Sequence, residues 1–152
     1  MKQFKTLALI PAMLLAACGG DSDTQTMKEK TTPGAMVYSF PMDGQNDVSP
    51  KADIVLRFSH AVVDDEATLA EKIKVESDGT SVDFTVTVID GGKSLKLEPE
   101  TALASGSDFN VSFSEPLAAE GGRTISTPNA VGEDGIQFNT CLLYTSPSPR
   151  DS

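Results

Sequence analysis

The stretch Val82–Val88, VDFTVTV, alternates apolar and polar residues without a break. Val82, Phe84, Val86 and Val88 share one face, and Asp83, Thr85 and Thr87 share the other. A period of two does not fit the 3.6-residue turn of a helix. It fits a strand with one face toward a core. The same alternation recurs along residues 35–140. MVYSF is the first such run, and DIVLRF sets Ile54, Leu56 and Phe58 on one face. KIKV does so with Ile73 and Val75, and SLKLE with Leu95 and Leu97. DFNVSF presents Phe109, Val111 and Phe113, and GIQFN presents Ile136 and Phe138.

Turn chemistry separates these runs: PMDGQND, ESDGTS, DGGKS, ASGSD and EGGR. Only DEATLAEK reads as helical, as one or two turns before the third run. About seven short strands spaced by Gly- and Asp-rich turns over roughly 100 residues predict an all-β, immunoglobulin-like sandwich. Every strand contributes to so small a core, so residues 35–140 are expected to fold as a unit with a cooperative thermal transition.

The order of short signatures carries a family resemblance. SFPMDGQNDVSPKADIVLRFSHAV resembles the opening of the bacterial Ig-like domain of the SbsA type, through Pro41, Asp43, Gly44, Val48, Phe58, Ser59 and Val62. GGKSLKLEPETALASGSDFNVSFSEPL resembles its later half, and IQFNT its closing Phe-X-Thr through Phe138 and Thr140. The resemblance spans residues 35–140. The family pattern has Tyr where this chain has Phe109. That implies the loss of a hydroxyl-to-backbone hydrogen bond at a strand corner, with the packing kept.

The first twenty residues have a different character. Lys2 and Lys5 precede the apolar run TLALIPAMLLAA, which is too short to span a bilayer and is interrupted by Pro11. Leu15-Ala16-Ala17-Cys18 resembles the lipobox of bacterial lipoproteins. The resemblance implies a signal peptide over residues 1–17, cleavage before Cys18, and lipidation of the Cys18 sulfur and amino group. Gly19, where Asp would imply inner-membrane retention, implies a lipid anchor in the outer membrane. Residues 18–34 are polar, lack hydrophobic periodicity and are expected to be a disordered tether.

The closing CLLYTSPSPRDS, residues 141–152, resembles no domain ending. It resembles the translation of a transposon end and adapter used in short-read sequencing, from Cys141 to Asp151. The expectation is that residues 141–152 are adapter-derived and that the natural protein is longer. Cys18 and Cys141 are then no disulfide pair.

The formal net charge of -10 argues against nucleic acid as a partner, because phosphates require Lys and Arg. It equally disfavours purely electrostatic adsorption to an anionic lipid surface. A solvated acidic surface is the plainer account of the charge.

Candidate chemistry is sparse. His60 is the sole histidine, in FSHAV just past a strand end, where an ordinary loop position explains it. Asp64, Asp65, Glu66 and Asp90 cluster at strand ends and supply the oxygen ligands that calcium takes, although acidic turns are also common without metal. DGGKS lacks the spacing of a phosphate-binding loop and reads as a hairpin turn. No catalytic residue and no cofactor is expected.

The expected function is a non-catalytic structural or interaction module of a cell-envelope lipoprotein, the N-terminal part of a longer chain. Its partners would be the membrane, through the lipid, and an envelope protein or glycan. The alternative is the N-terminal spacer of a larger exported hydrolase or lipase-like enzyme. A Gly-X-Ser-X-Gly elbow further along the gene would distinguish it.

Overall fold

A computed structural model describes residues 32–126 and 135–143. The signal segment 1–17, Cys18, most of the tether 18–34 and residues 144–152 lie outside the described residues.

Among the described residues, eleven strands form the fold. The four-stranded sheet has the order β1 (Met36–Phe40), β3 (Ile54–Phe58), β7 (Ser94–Pro99), β6 (Phe84–Ile89). The five-stranded sheet has the order β2 (Gln45–Val48), β11 (Ile136–Thr140), β8 (Asp108–Phe113), β4 (Ile73–Ser77), β5 (Thr80–Ser81). A small hairpin pairs β9 (Leu117–Ala119) with β10 (Arg123–Ile125). The one α-helix among the described residues, α1 (Glu66–Lys72), precedes β4 at the position where DEATLAEK predicts it.

All pairings are antiparallel except β2 with β11. The chain thus switches sheets between β1 and β2, so that its first strands edge both sheets. This is the immunoglobulin-like sandwich expected from the sequence.

One hydrophobic cluster joins the two sheets. Ile54, Leu56, Phe58, Leu95 and Leu97 enter from one side, and Ile73, Val75, Val111, Ile136 and Phe138 from the other. Leu69 of α1 and Leu117 and Ile125 of the hairpin close it. Phe109 stacks on Phe138 with centroids 5.3 Å apart and planes at 13°. Phe109 is therefore wholly a packing residue here, 3% exposed.

Three differences from the sequence reading have physical causes. The strands β2, β5, β9 and β10 are two to four residues long, too short to show a period, and β2, β5 and β10 overlap segments that read as turns. The apolar face of VDFTVTV is only partly buried: Val86 is in the core, while Val82, Phe84 and Val88 are half-buried. The cause is position, because β6 is the outer strand of its sheet. The outward residues of β1, Tyr38 and Phe40, are aromatic rather than polar.

The strand directions set the ends of the domain apart. At one pole, Gly34 N donates to Thr124 O at 3.0 Å and Ser59 N donates to Ala35 O at 2.8 Å. At the other, Thr140 pairs with Val48, and Leu103 N donates to Pro50 O at 2.8 Å. β1 begins opposite Phe58, the end of β3, whereas β11 ends beside Val48, just before β3 begins. The chain enters the sandwich at one pole and leaves it at the opposite one. Cys141 continues the exit with Cys141 N donating to Val48 O at 2.9 Å and Gly106 N donating to Cys141 O at 3.2 Å. These are main-chain bonds that any residue could make. Cys141 is a free thiol, half-buried.

Candidate functional site

The four acidic residues singled out as oxygen ligands are each engaged within the protein. Asp64 Oδ2 lies 2.9 Å from Lys72 Nζ and accepts Ala118 N at 2.8 Å. Asp65 caps α1, its Oδ1 accepting Thr68 N at 2.7 Å. Hydrogen bonds from Thr68, side chain first and backbone second, hold the Asp65 carboxyl below its ordinary value. Glu66 Oε1 accepts Val88 N at 3.0 Å, so the first residue of α1 occupies an amide on the β6 edge. Asp90 Oδ2 accepts Ser94 Oγ at 2.8 Å and faces Arg57 Nη1 at 3.7 Å. Among the described residues no three His, Cys, Asp or Glu side chains are grouped to hold a metal ion. What these carboxylates do is fasten a short helix and a hairpin turn to the strands.

His60 Nδ1 lies 2.8 Å from Ser59 Oγ, which also accepts Ala35 N at 3.0 Å. A hydroxyl beside an imidazole invites a nucleophile-base reading, but no carboxylate orients His60 among the described residues. The pair holds down the segment that leads into β1. Cys18 lies outside the described residues.

Two surfaces are suited to contact. The outer face of the five-stranded sheet forms an open concavity of about 500 Å³, lined by Gln45, Asn110, Gln137 and Asn139 with Glu76 and Asp108. Asn139 Nδ2 donates to Asp108 Oδ1 at 2.9 Å across it, and the buried Asn110 Oδ1 has no hydrogen-bond partner among the described residues. Such a face can donate to and accept from polyols or peptide groups. It offers no nucleophile.

The second surface is apolar and lies on the other sheet. Val37, Tyr38, Phe40 and Met42 are 58%, 49%, 37% and 58% exposed. Tyr38 and Phe40 stand opposite Arg57 and Val55 of β3, on the outer face of the four-stranded sheet. Alternation in MVYSF signalled a strand, but which side faced water depended on pairing with β3.

The profile of the bacterial Ig-like domain matches residues 30–140. Alkane uptake protein B of Marinobacter nauticus is 71% identical over 144 residues, which cover 95% of this chain and 14% of that protein. The chain thus spans a small fraction of the relative it matches. Among solved structures, the N-terminal part of the bacterial S-layer protein SbsC superposes with a TM-score of 0.52 at 15% identity, covering 78% of this chain and 26% of that one. CopC from Methylosinus trichosporium superposes with a TM-score of 0.53 at 20% identity, covering 74% of this chain and 98% of that one. At these identities the two structures speak for the fold alone. The profile match spans the strands of both sheets, and this chain belongs to the bacterial Ig-like domain family.

Proposed function

We propose that this chain is a non-catalytic spacer and interaction module of a larger cell-envelope protein that takes part in alkane uptake, tethered to the outer membrane by lipid on Cys18. The 71% identity with alkane uptake protein B carries the reading. A match of that strength across 95% of this chain ties it to the same part of a protein several times longer. The sandwich supports the spacer role, because its entry and exit lie at opposite poles and the chain on either side is held apart by the length of the strands. A strand rises ~3.3 Å per residue, so even five-residue strands impose a separation of about 17 Å. The turns at both poles extend it further.

The test replaces residues 35–140 in the full-length protein with an unrelated Ig-like domain of equal length and, separately, deletes them. Uptake of radiolabelled hexadecane by whole cells is the readout. A spacer predicts loss on deletion and recovery on replacement, while an interaction module predicts loss in both. Unchanged uptake after deletion overturns the proposal. Labelling with radioactive palmitate, lost in Cys18→Ser, tests the anchor separately.

A further inference from the structure

We propose that the apolar strip on β1 rests against the bilayer to which Cys18 anchors the chain, so that the domain lies on the membrane by one defined face. The inference depends on the lipid-anchor reading above. Among the described residues, seven large apolar side chains are well exposed, and four of them fall within residues 37–42. A solvated outer face ordinarily alternates to polar residues, yet here the outward positions of the first strand are Tyr38 and Phe40. The register shift between Met36 and Tyr38 sets Val37 outside the regular ladder, and Met42, 58% exposed, follows in the turn after Pro41.

The chemistry of this face fits an interface between water and lipid. Tyr places its ring at the depth of the headgroups with its hydroxyl toward water, and Phe, Val and Met insert beside it. Arg57 lies across from Tyr38, and Lys96 lies one strand further from Phe40, within reach of headgroup phosphates. Asp90 sits by Arg57, and Asp53 and Glu98 sit by Lys96, so the two cations of this face meet three carboxylates and leave it slightly acidic. Attraction here is apolar rather than electrostatic, which accords with a net charge of -10.

Chain length supplies the reason for a membrane as the occupant. The segment from Cys18 to Val37 can extend at most about 70 Å. The strip therefore lies on the strand nearest in sequence to the anchor and stays at high local concentration over the lipid. Recruitment of a second copy along the β1 edge is less suited, because the irregularity at Val37 interrupts the ladder that an added strand would follow.

The test places the lipidated chain in nanodiscs of phosphatidylcholine and phosphatidylethanolamine that carry a gadolinium-chelating lipid. Relaxation of amide signals is read by NMR. The expected result is broadening of residues 37–42 and of Arg57 at least about threefold greater than that of Asn110 and Gln137 on the other sheet. The variant Tyr38→Ser/Phe40→Ser/Met42→Ser should lose that difference while its signals stay dispersed. Equal broadening on both sheets overturns the proposal. Failure of the chain to join the nanodiscs defeats the anchor reading alone. The same comparison is then made with Cys18 coupled to a maleimide lipid in a Cys141→Ser background, where the same two results decide. A concentration-dependent dimer in lipid-free buffer, abolished by the triple variant, assigns the strip to a second copy and also overturns the proposal.

Discussion

Asp64 and Lys72 meet at 2.9 Å with their side chains only 14% and 18% exposed, and the same Asp64 oxygen receives the amide of Ala118. One carboxylate thereby ties the last turn of α1 to the β9 strand. Removing it leaves an ammonium group and a backbone amide poorly solvated and unpaired. Asp64→Ala should destabilise the domain by about 2–4 kcal/mol, more than an exposed ion pair is worth. Urea denaturation measures this, and Lys72→Met in the Asp64→Ala background should recover part of the loss. A change within experimental error for Asp64→Ala would show that the pair is solvated and dispensable.

Thr140 closes the domain through its side chain. It is 1% exposed, donates from Oγ1 to Ala104 O at 2.6 Å, and accepts Ser107 N at 3.1 Å. Thr140→Val keeps the shape and strands both partners, which should cost about 1–3 kcal/mol. Thr140→Ser keeps the hydroxyl and should lose less. If thermal melts rank Ser below Val, the methyl group and not the hydroxyl is what matters at this position.

The strands with several inward residues were legible in the sequence, because Ile54, Leu56 and Phe58, or Leu95 and Leu97, carry the period by themselves. β2 was not, because only Val48 of its four residues is buried. Its place is set by parallel pairing with β11, more than ninety residues away, and by Gln137 N donating to Asp43 Oδ1 at 2.9 Å. β9 and β10 have three residues each, too few to show a period, although the EGGR turn between them was visible. In the sequence the acidic residues stand out as oxygen ligands only because they fall at strand ends. Their partners, Lys72, Ala118, Val88 and Arg57, come from separate elements and are known only after folding.

Gly135 opens β11 with φ +86°, a conformation that L side chains rarely adopt. An added Cβ would press into the carbonyl oxygen of Val111 and come within 2.7 Å of Asn110 Oδ1. Gly135→Ala should cost about 3 kcal/mol or more, as a backbone clash added to conformational strain. Gly79 provides the control, since it has φ +76° but nothing within 4 Å of the added carbon. Gly79→Ala should cost only the strain, about 1–2 kcal/mol. Equal losses for the two variants in chemical denaturation would mean that the β11 entry shifts to relieve the clash.

Asp65 gives the fold an acid-sensitive contact. Its carboxyl titrates below its ordinary value because Thr68 donates to the charged form, and α1 begins on that bond. A carboxyl with a depressed folded-state value contributes stability above its unfolded-state value and loses it as pH falls through the folded-state value. The contribution is thus complete at neutral pH, begins to decline near the unfolded-state value of about 4, and is lost as pH falls on through the lower folded-state value. Asp65→Asn retains an acceptor oxygen but cannot titrate, so its melting temperature should fall less than that of the parent between about pH 5 and pH 3. Asp65→Ala loses the cap at every pH and should melt lower than both at neutral pH. The three melting curves recorded against pH check the assignment: parallel slopes for the parent and Asp65→Asn would remove Asp65 from the acid response and leave its role as a neutral cap alone.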